Sequence, residues 1–434
     1  MVKKRLVDKE THAEEEGLTG PLSLLATNIT QNIKINNWGK NMRTIPKVIL
    51  KKQGIHGSES GHPWIFQSEI DYVKGNFKPG DIVDVYNSRR HHLGRGYINP
   101  RSQITVRLLS REEEPIDRDF FVRRIARAWQ YRQRFLEEPE YCRLIFSEAD
   151  FLPGLIVDKF GPCIVIQTLA LGMDVYKELI ISVLAELLKP EMIYERNDAP
   201  VRTLEGLPLQ KGFLKGQGDT LLTVHENGLL FYADIEHGQK TGFFYDQREN
   251  RRLLSKFVAG HEVLDCFCFT GSFSIHAAAY GAKHVLGVDI SSSAVEMASK
   301  NARLNQVQDR CEFREANAFD LLREYSDAGR SFDTVILDPP AFTKSKSSVE
   351  NAVRGYKEIN LRGLKMIRPG GYLVTCSCSF HMDRNLFRKV IAEAAADAKR
   401  LVREVAYLSQ AKDHPAIPAA PETSYLKFMV LEIQ

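Results

Sequence analysis

Val263-Leu264-Asp265-Cys266-Phe267-Cys268-Phe269-Thr270-Gly271 runs from an apolar strand into a turn that closes on glycine, and a helical pattern, Ser272 to Tyr280, follows it. A short apolar run ending in a turn and then a helix is the opening unit of a parallel sheet. The rhythm repeats downstream, with strands predicted at Glu262 to Asp265, His284 to Asp289, Arg310 to Glu315, Phe332 to Asp338 and Gly371 to Ser377, and helices between them. After a further helix near Arg384 to Ala396, Leu401 to Leu408 and Ser424 to Ile433 are predicted as a terminal strand pair. That order makes an α/β doubly wound sheet ending in an antiparallel hairpin.

In such a sheet a ligand lies beyond the carboxyl ends of the strands, where their order reverses, so the loop Asp265 to Ser272 is the first candidate site. It lacks the G-x-G-x-x-G of a dinucleotide site, and Phe267 and Phe269 crowd the place where a pyrophosphate needs bare amides. Gly271 lets the backbone pass close to a ligand. Asp289, eighteen residues after Gly271 at the next strand end, can accept hydrogen bonds from ribose hydroxyls, the plainer alternative being an ordinary capping acid. After the third strand, Asn317 can bond an adenine edge and Phe319 can pack on its face. S-adenosylmethionine fits this set better than NAD. Upstream, Gln239 to Arg248 mixes charge, glycine and aromatics; Lys240, Asp246 and Arg248 are expected in a wall of the pocket, whereas Phe243 and Phe244 read as core.

The last predicted parallel strand ends in Thr375-Cys376-Ser377-Cys378-Ser379, and the fourth ends in Asp338-Pro339-Pro340-Ala341. Carbon 5 of a pyrimidine is a poor nucleophile, and a thiolate adding at carbon 6 turns the ring into a good one. Cys376 and Cys378 share a face by strand alternation, and Cys378 is nearer the site-bearing end, so it is the candidate nucleophile. Cys266, Cys268 and Cys376 read as packed apolar groups. No metal site is expected, because Cys-x-Cys departs from the C-x₂₋₄-C spacing of structural zinc. Asp338, stiffened by the two prolines, can address the polar edge of an inserted base and stabilise charge as the thiol adds. Methylation of an exocyclic amine commonly uses an aromatic after the prolines, where this chain has Ala341 with Phe342 one step on.

Between Lys47 and Arg111, short β-like runs at Lys47 to Leu50, Asp81 to Tyr86, Gly96 to Ile98 and Ile104 to Leu109 predict a small β-barrel or sandwich with Trp64 in its core. From Tyr86 to Arg111 there are six arginines, two histidines and no acid. Arg89, Arg90, Arg95 and Arg101 are the candidates for neutralising phosphates there, against the plainer reading of a solvated face balanced by Glu112 to Glu114. A helix from Asp119 to about Leu136 and strands at Arg143 to Phe146, Leu155 to Asp158, Cys163 to Thr168, Met192 to Glu195 and Leu221 to Tyr232, with a helix near Val175 to Leu188, predict an α+β middle region. Residues 1–43 read as a flexible extension.

At 434 residues the chain exceeds what one core usually holds, so several domains are expected: 1–43 extension, 44–112, 113–235 and 236–434. No apolar run approaches the ~20 residues of a membrane span, and the charged N-terminus lacks a signal core. Seven cysteines fit reduced thiols better than a disulfide framework, so a cytoplasmic location is expected. A net charge of +4 by itself says little about nucleic acid.

These residues resemble the bacterial ribosomal RNA large-subunit methyltransferase I family, enzymes that form 5-methylcytosine in 23S rRNA. The likeness spans nearly everything after Met42. Residues 44 to about 110, with Gly61-His62-Pro63-Trp64-Ile65-Phe66 and Gly80-Asp81, look like that family's PUA RNA-binding domain, and Ser147-Glu148-Ala149-Asp150 with Pro153 to Asp158 resembles its central domain. Gln239 to Arg248, Asp265 to Gly271, Asp338-Pro339-Pro340 and Ser377-Cys378-Ser379 are its strongest motifs. The resemblance implies a Rossmann-like class I methyltransferase sheet behind a small β-barrel PUA domain and an α+β domain, with S-adenosylmethionine as cofactor and ribosomal RNA as partner. It maps the nucleophile onto Cys378, the cofactor acids onto Asp265 and Asp289, and the substrate-contacting acid onto Asp338. Two departures stand out: Ala341 replaces the second cysteine many such enzymes carry after the prolines, and Asn317 stands where an aspartate is often found. A base-amine methyltransferase and a non-catalytic RNA-binding assembly factor remain the alternatives. No protein partner can be inferred, and a homodimer is left open.

Overall fold

Parallel strands covered on both faces need apolar side chains on both, and the last part of the chain supplies them. In the computed structural model, which describes residues 44–52, 61–343 and 348–434, a seven-stranded sheet forms from β1 (Glu262–Cys266), β2 (His284–Asp289), β3 (Cys311–Glu315), β4 (Phe332–Leu337), β5 (Ile367–Ser377), β6 (Val402–Leu408) and β7 (Lys427–Ile433). Their order is β3-β2-β1-β4-β5-β7-β6, with β1 to β5 parallel and β7 antiparallel to both of its neighbours. Val263 enters one core with Ile336 and Val374, while Leu264 enters the opposite core with Val335 and Leu373, as the period of two requires. Helices α1 (Ser272–Ala279), α2 (Ser292–Leu304), α3 (Ala318–Asp327), α4 (Val349–Met366) and α5 (Arg384–Asp397) fill the intervals. The order reverses between β1 and β4, so the loops after these two strands, which hold Phe267 to Gly271 and Asp338 to Ala341, open on the same crevice. The expected N-terminal extension lies outside the described residues.

The N-terminal strands form a six-stranded sheet in the order Trp64–Phe66, Ile104–Ser110, His92–Ile98, Ile82–Tyr86, Lys47–Leu50, Ile70–Lys74. Its two edge strands are joined by the three-residue 3₁₀ turn Gln67–Glu69. Four residues of chain reach at most ~14 Å, less than the ~24 Å across a flat six-stranded sheet, so the sheet must roll up. Val48, Ile65, Val83, Val85, Ile98 and Val106 fill its interior. Trp64, expected in this core, is instead half-buried at its margin and donates its indole N–H to Glu148 at 2.8 Å.

The middle sheet runs Gln210–Lys215, Met192–Asn197, Cys163–Thr168, Leu155–Phe160, Tyr141–Phe146. Against it packs the helix Arg118–Phe135, capped by the Asp117 carboxylate and burying Phe120, Phe121, Ile125 and Ala128. The single strand expected over Leu221 to Tyr232 is a hairpin, Leu221–Glu226 with Leu229–Asp234. Asn227 (φ 54°) and Gly228 (φ 79°) make the left-handed pair that a two-residue hairpin turn requires. The hairpin is tied to α2 and its C-cap, where the Asn301 and Asn305 side chains accept from the Tyr232 and Leu230 amides.

Candidate active site

A cleft of about 420 Å³ lies beyond the carboxyl ends of β1, β2, β4 and β5. Of the residues the sequence singled out, Lys240, Phe267, Phe269, Thr270, Asp289, Asn317, Phe319, Asp338 and Cys378 line it together. Gly271 and Asp265 stand behind this lining, and Arg248 is elsewhere.

The turn after β1 is strained in a patterned way. Phe267 (φ 65°), Phe269 (φ 48°) and Gly271 (φ 82°) are all left-handed. For the two phenylalanines that conformation costs on the order of 1 kcal/mol or more each. It persists because neighbours over-determine it: the Cys268 amide donates to the Val288 carbonyl (3.0 Å) and the Phe269 amide to the Asp289 carboxylate (2.9 Å). A side chain at Gly271 would meet Ala298 at 2.9 Å and the Phe313 ring at 3.1 Å, so glycine is needed for packing as well as for φ. Phe267 and Phe319, which line the cleft, have their rings 6.0 Å apart, and Phe342 backs Phe319 at 5.6 Å.

Asp265 is fully buried at the end of β1, where one oxygen accepts the Ser274 hydroxyl at 2.6 Å and the other has no protein partner. Burial, with Asp338 and Asp289 adding to it, pushes its carboxyl up to about 7. Asp338 lines the cleft, accepts from the Gln247 amide at 3.1 Å and is pushed up to about 6 by burial and by Asp246. Asp246 receives the Tyr425 hydroxyl on one oxygen (2.5 Å) and nothing on the other. Burial opposes its ionisation, but Lys240, His414 and the Tyr425 hydroxyl outweigh that and hold it below the usual carboxylate range. Asp289 accepts the Phe269 and Ser291 amides, one on each oxygen. Three carboxyl groups lining the cleft and Asp265 behind them, two of the four with an orphaned buried oxygen, suit a ligand that carries both a sulfonium and an ammonium group. They do not suit a pyrophosphate. The set of groups therefore fits S-adenosylmethionine.

Cys378 lies one residue past β5, half-buried, with its sulfur 4.0 Å from the Pro339 carbonyl. Burial and the neighbouring Asp338 push the thiol up to about 11, while Lys240 and Lys427 pull it down. Cys266, Cys268 and Cys376 are buried. Phe342 is absent from the cleft lining and packs on Tyr356 at a ring distance of 4.6 Å.

Two expected contacts fail. Arg248 is buried away from the cleft, bonded to the Tyr141 carbonyl and facing Glu226 at 3.8 Å, because helical spacing turns it toward the middle sheet. Arg95 is buried in a two-bonded ion pair with Asp84 (2.7 and 3.2 Å), so its charge is already neutralised. Arg89, Arg90 and Arg101 are exposed, with Arg90 steadied by the Tyr72 hydroxyl at 2.6 Å. Arg251, Tyr425, Leu426 and Lys427 also shape the cleft and were not foreseen. The one hint was a lysine opening the apolar run Phe428 to Leu431.

A class I sheet with this acid-lined crevice defines an S-adenosylmethionine-dependent methyltransferase. A family model described as S-adenosylmethionine-dependent methyltransferase matches residues 210–429, and a PUA-like domain model matches 48–111. The chain is 44% identical over 86% of its length to the ribosomal RNA large subunit methyltransferase I of Shewanella amazonensis, covering 95% of that protein. It is 40% identical over 89% of its length to the Alteromonas mediterranea protein of the same name, covering 98% of it. The chain belongs to the ribosomal RNA large subunit methyltransferase I family. A solved methyltransferase from Streptococcus mutans shares the fold over 89% of this chain and 99% of its own, with a TM-score of 0.76 at 19% identity. A methyltransferase solved with S-adenosylhomocysteine has the same coverage and identity and a TM-score of 0.77.

Proposed function

We propose that this enzyme methylates carbon 5 of a cytosine in large-subunit ribosomal RNA, with Cys378 as the nucleophile at carbon 6. The observation that carries the reading is the placing of the Cys378 thiol and the Asp338 carboxyl in one cleft with the acids and aromatics described above. S-adenosylmethionine, when bound, supplies the methyl group. The chain's part begins with ionised Cys378, whose sulfur lone pair forms a bond to carbon 6 and pushes electron density onto carbon 5 and the ring's polar edge. Asp338, pushed up to about 6, is poised to share a proton with that edge as charge gathers there. Loss of the carbon 5 proton and of the sulfur then restores the ring. Arg89, Arg90 and Arg101, in the 44–112 region, are assigned to phosphate contacts, which position RNA without reading sequence. Ala341, not an aromatic, directly follows Pro340, and Phe342 packs on Tyr356, which speaks against amine methylation.

Fluorine at carbon 5 cannot leave as a proton, so RNA carrying 5-fluorocytosine should trap the wild-type enzyme as a denaturant-resistant adduct that needs S-adenosylmethionine. Cys378→Ala should form none. An adduct in that variant, or none in the wild type on RNA that it methylates, would refute the assignment.

A further inference from the structure

Among the described residues the other buried cations are paired with carboxylates. Arg132 meets Asp150, Arg143 meets Asp158, Arg251 meets Glu226, Lys159 meets Glu140 and Arg202 meets Asp174. Lys427 departs from that pattern. It is only 7% exposed, yet its ammonium bonds two carbonyls, Ser379 at 2.6 Å and Tyr425 at 2.7 Å, and no carboxylate among the described residues forms an ion pair with it. A buried ammonium without an anion is costly, since carbonyl dipoles return only part of the lost hydration. An ammonium has three N–H donors, so these two bonds leave one unspent.

The backbone explains why it sits there. Lys427 opens β7 opposite Ser377, the last residue of β5, and its side chain reaches forward to Ser379. The backbone pairing to Ser377 and the ammonium's bond to the Ser379 carbonyl thus fall on the two residues that flank Cys378. The charged groups acting on Lys427 are Cys378 first and then Asp383, an exposed residue occupied in capping α5. Around Cys378, Asp338 and Asp246 oppose ionisation, while Lys427 and the exposed Lys240, which solvent screens, favour it.

We propose that Lys427 is the positioning residue for Cys378, its buried ammonium being the counter-ion of the Cys378 thiolate. This rests on the reading of Cys378 as the nucleophile. The sulfur's proton leaves to bulk water through the cleft, giving a thiolate–ammonium pair of zero net charge. When the carbon 6 to sulfur bond breaks, its electron pair returns to the sulfur and the same pair re-forms. Burial lowers the Lys427 ammonium to about 8, and Cys378 and Asp383 act against that by favouring its charged form.

The test is the pH profile of iodoacetamide alkylation at Cys378, read by peptide mass spectrometry in full-length wild type, Lys427→Arg and Lys427→Met. Neither RNA nor S-adenosylmethionine is needed. Lys427→Met should alkylate about tenfold more slowly near pH 8, with its profile displaced to higher pH and the same high-pH plateau. Lys427→Arg should restore most of the rate. A lysine that merely ties two carbonyls would leave the profile in place, and that result would overturn the proposal. Should Lys427→Met not fold, the Lys427 side-chain nitrogen can be titrated by NMR in wild type and in Cys378→Ala. Its titration should move lower in Cys378→Ala, and an unmoved titration overturns the pair. Failure of the nucleophile reading would show separately, as 5-methylcytosine made at full rate by Cys378→Ala.

Discussion

Glu226→Gln should be among the most damaging single substitutions in the chain, although Glu226 does not itself line the cleft. Its carboxylate is fully buried and accepts two bonds from Arg251 (2.6 and 2.8 Å), with Arg248 at 3.8 Å and His276 at 3.7 Å. The amide keeps the shape but strips the charge from a site that holds two guanidinium groups. Removing one partner of a buried pair costs about 3–5 kcal/mol, because the other is left uncompensated. Arg251 also donates to the Phe244 carbonyl at 2.6 Å and lines the cleft, so the damage should reach the cofactor wall. Urea unfolding followed by circular dichroism and calorimetric binding of S-adenosylhomocysteine measure the two effects. Combining Glu226→Gln with Arg251→Gln should cost less than the sum of the singles, as expected for residues in contact. Loss of under about 0.5 kcal/mol, the usual range of surface changes, with unchanged binding would refute the reasoning.

Burial raises Asp265 to about 7 and Asp338 to about 6. The folded protein thus binds their protons more tightly than the unfolded chain, and their contribution to stability is lost as pH rises from about 4 toward 7. A cationic ligand reverses that cost. S-adenosylmethionine binding should tighten between pH 5.5 and 7.5, and more steeply than in Asp265→Asn; calorimetry showing a flat wild-type profile would contradict it. Arg89→Ala and Arg90→Ala should each weaken RNA binding and lower the salt slope by about one, whereas Arg95→Ala should lower thermal stability by leaving Asp84 unpaired. Filter binding across salt and thermal melts separate the two. Gly271→Ala should destabilise the protein by about 1 kcal/mol or more and weaken S-adenosylhomocysteine binding, as melts and calorimetry can show.

The sheet was legible because strands buried on both faces are unbroken apolar runs, and Val263-Leu264 or Val335-Ile336-Leu337 can be little else. The cleft acids were legible because strand ends in such a sheet must meet the crevice. Residues whose role depends on a distant partner were not. Arg248 differs in nothing local from Lys240, yet its partner Tyr141 lies 107 residues back. Arg95 belongs to an arginine-rich stretch, but strand pairing sets it opposite Asp84. The Asn227-Gly228 hairpin had its signal in plain view. Lys427 had almost none, since its meaning comes from the antiparallel register that sets it opposite Ser377.

The central claim is a methyl transfer to carbon 5 that passes through the Cys378 sulfur. It is tested most directly by incubating wild type and Cys378→Ala with methyl-labelled S-adenosylmethionine and unmethylated large-subunit ribosomal RNA, then digesting the RNA to nucleosides. Label in 5-methylcytosine from the wild type, and none from the variant, is the predicted result. Label in another nucleoside, or equal labelling by Cys378→Ala, would contradict it.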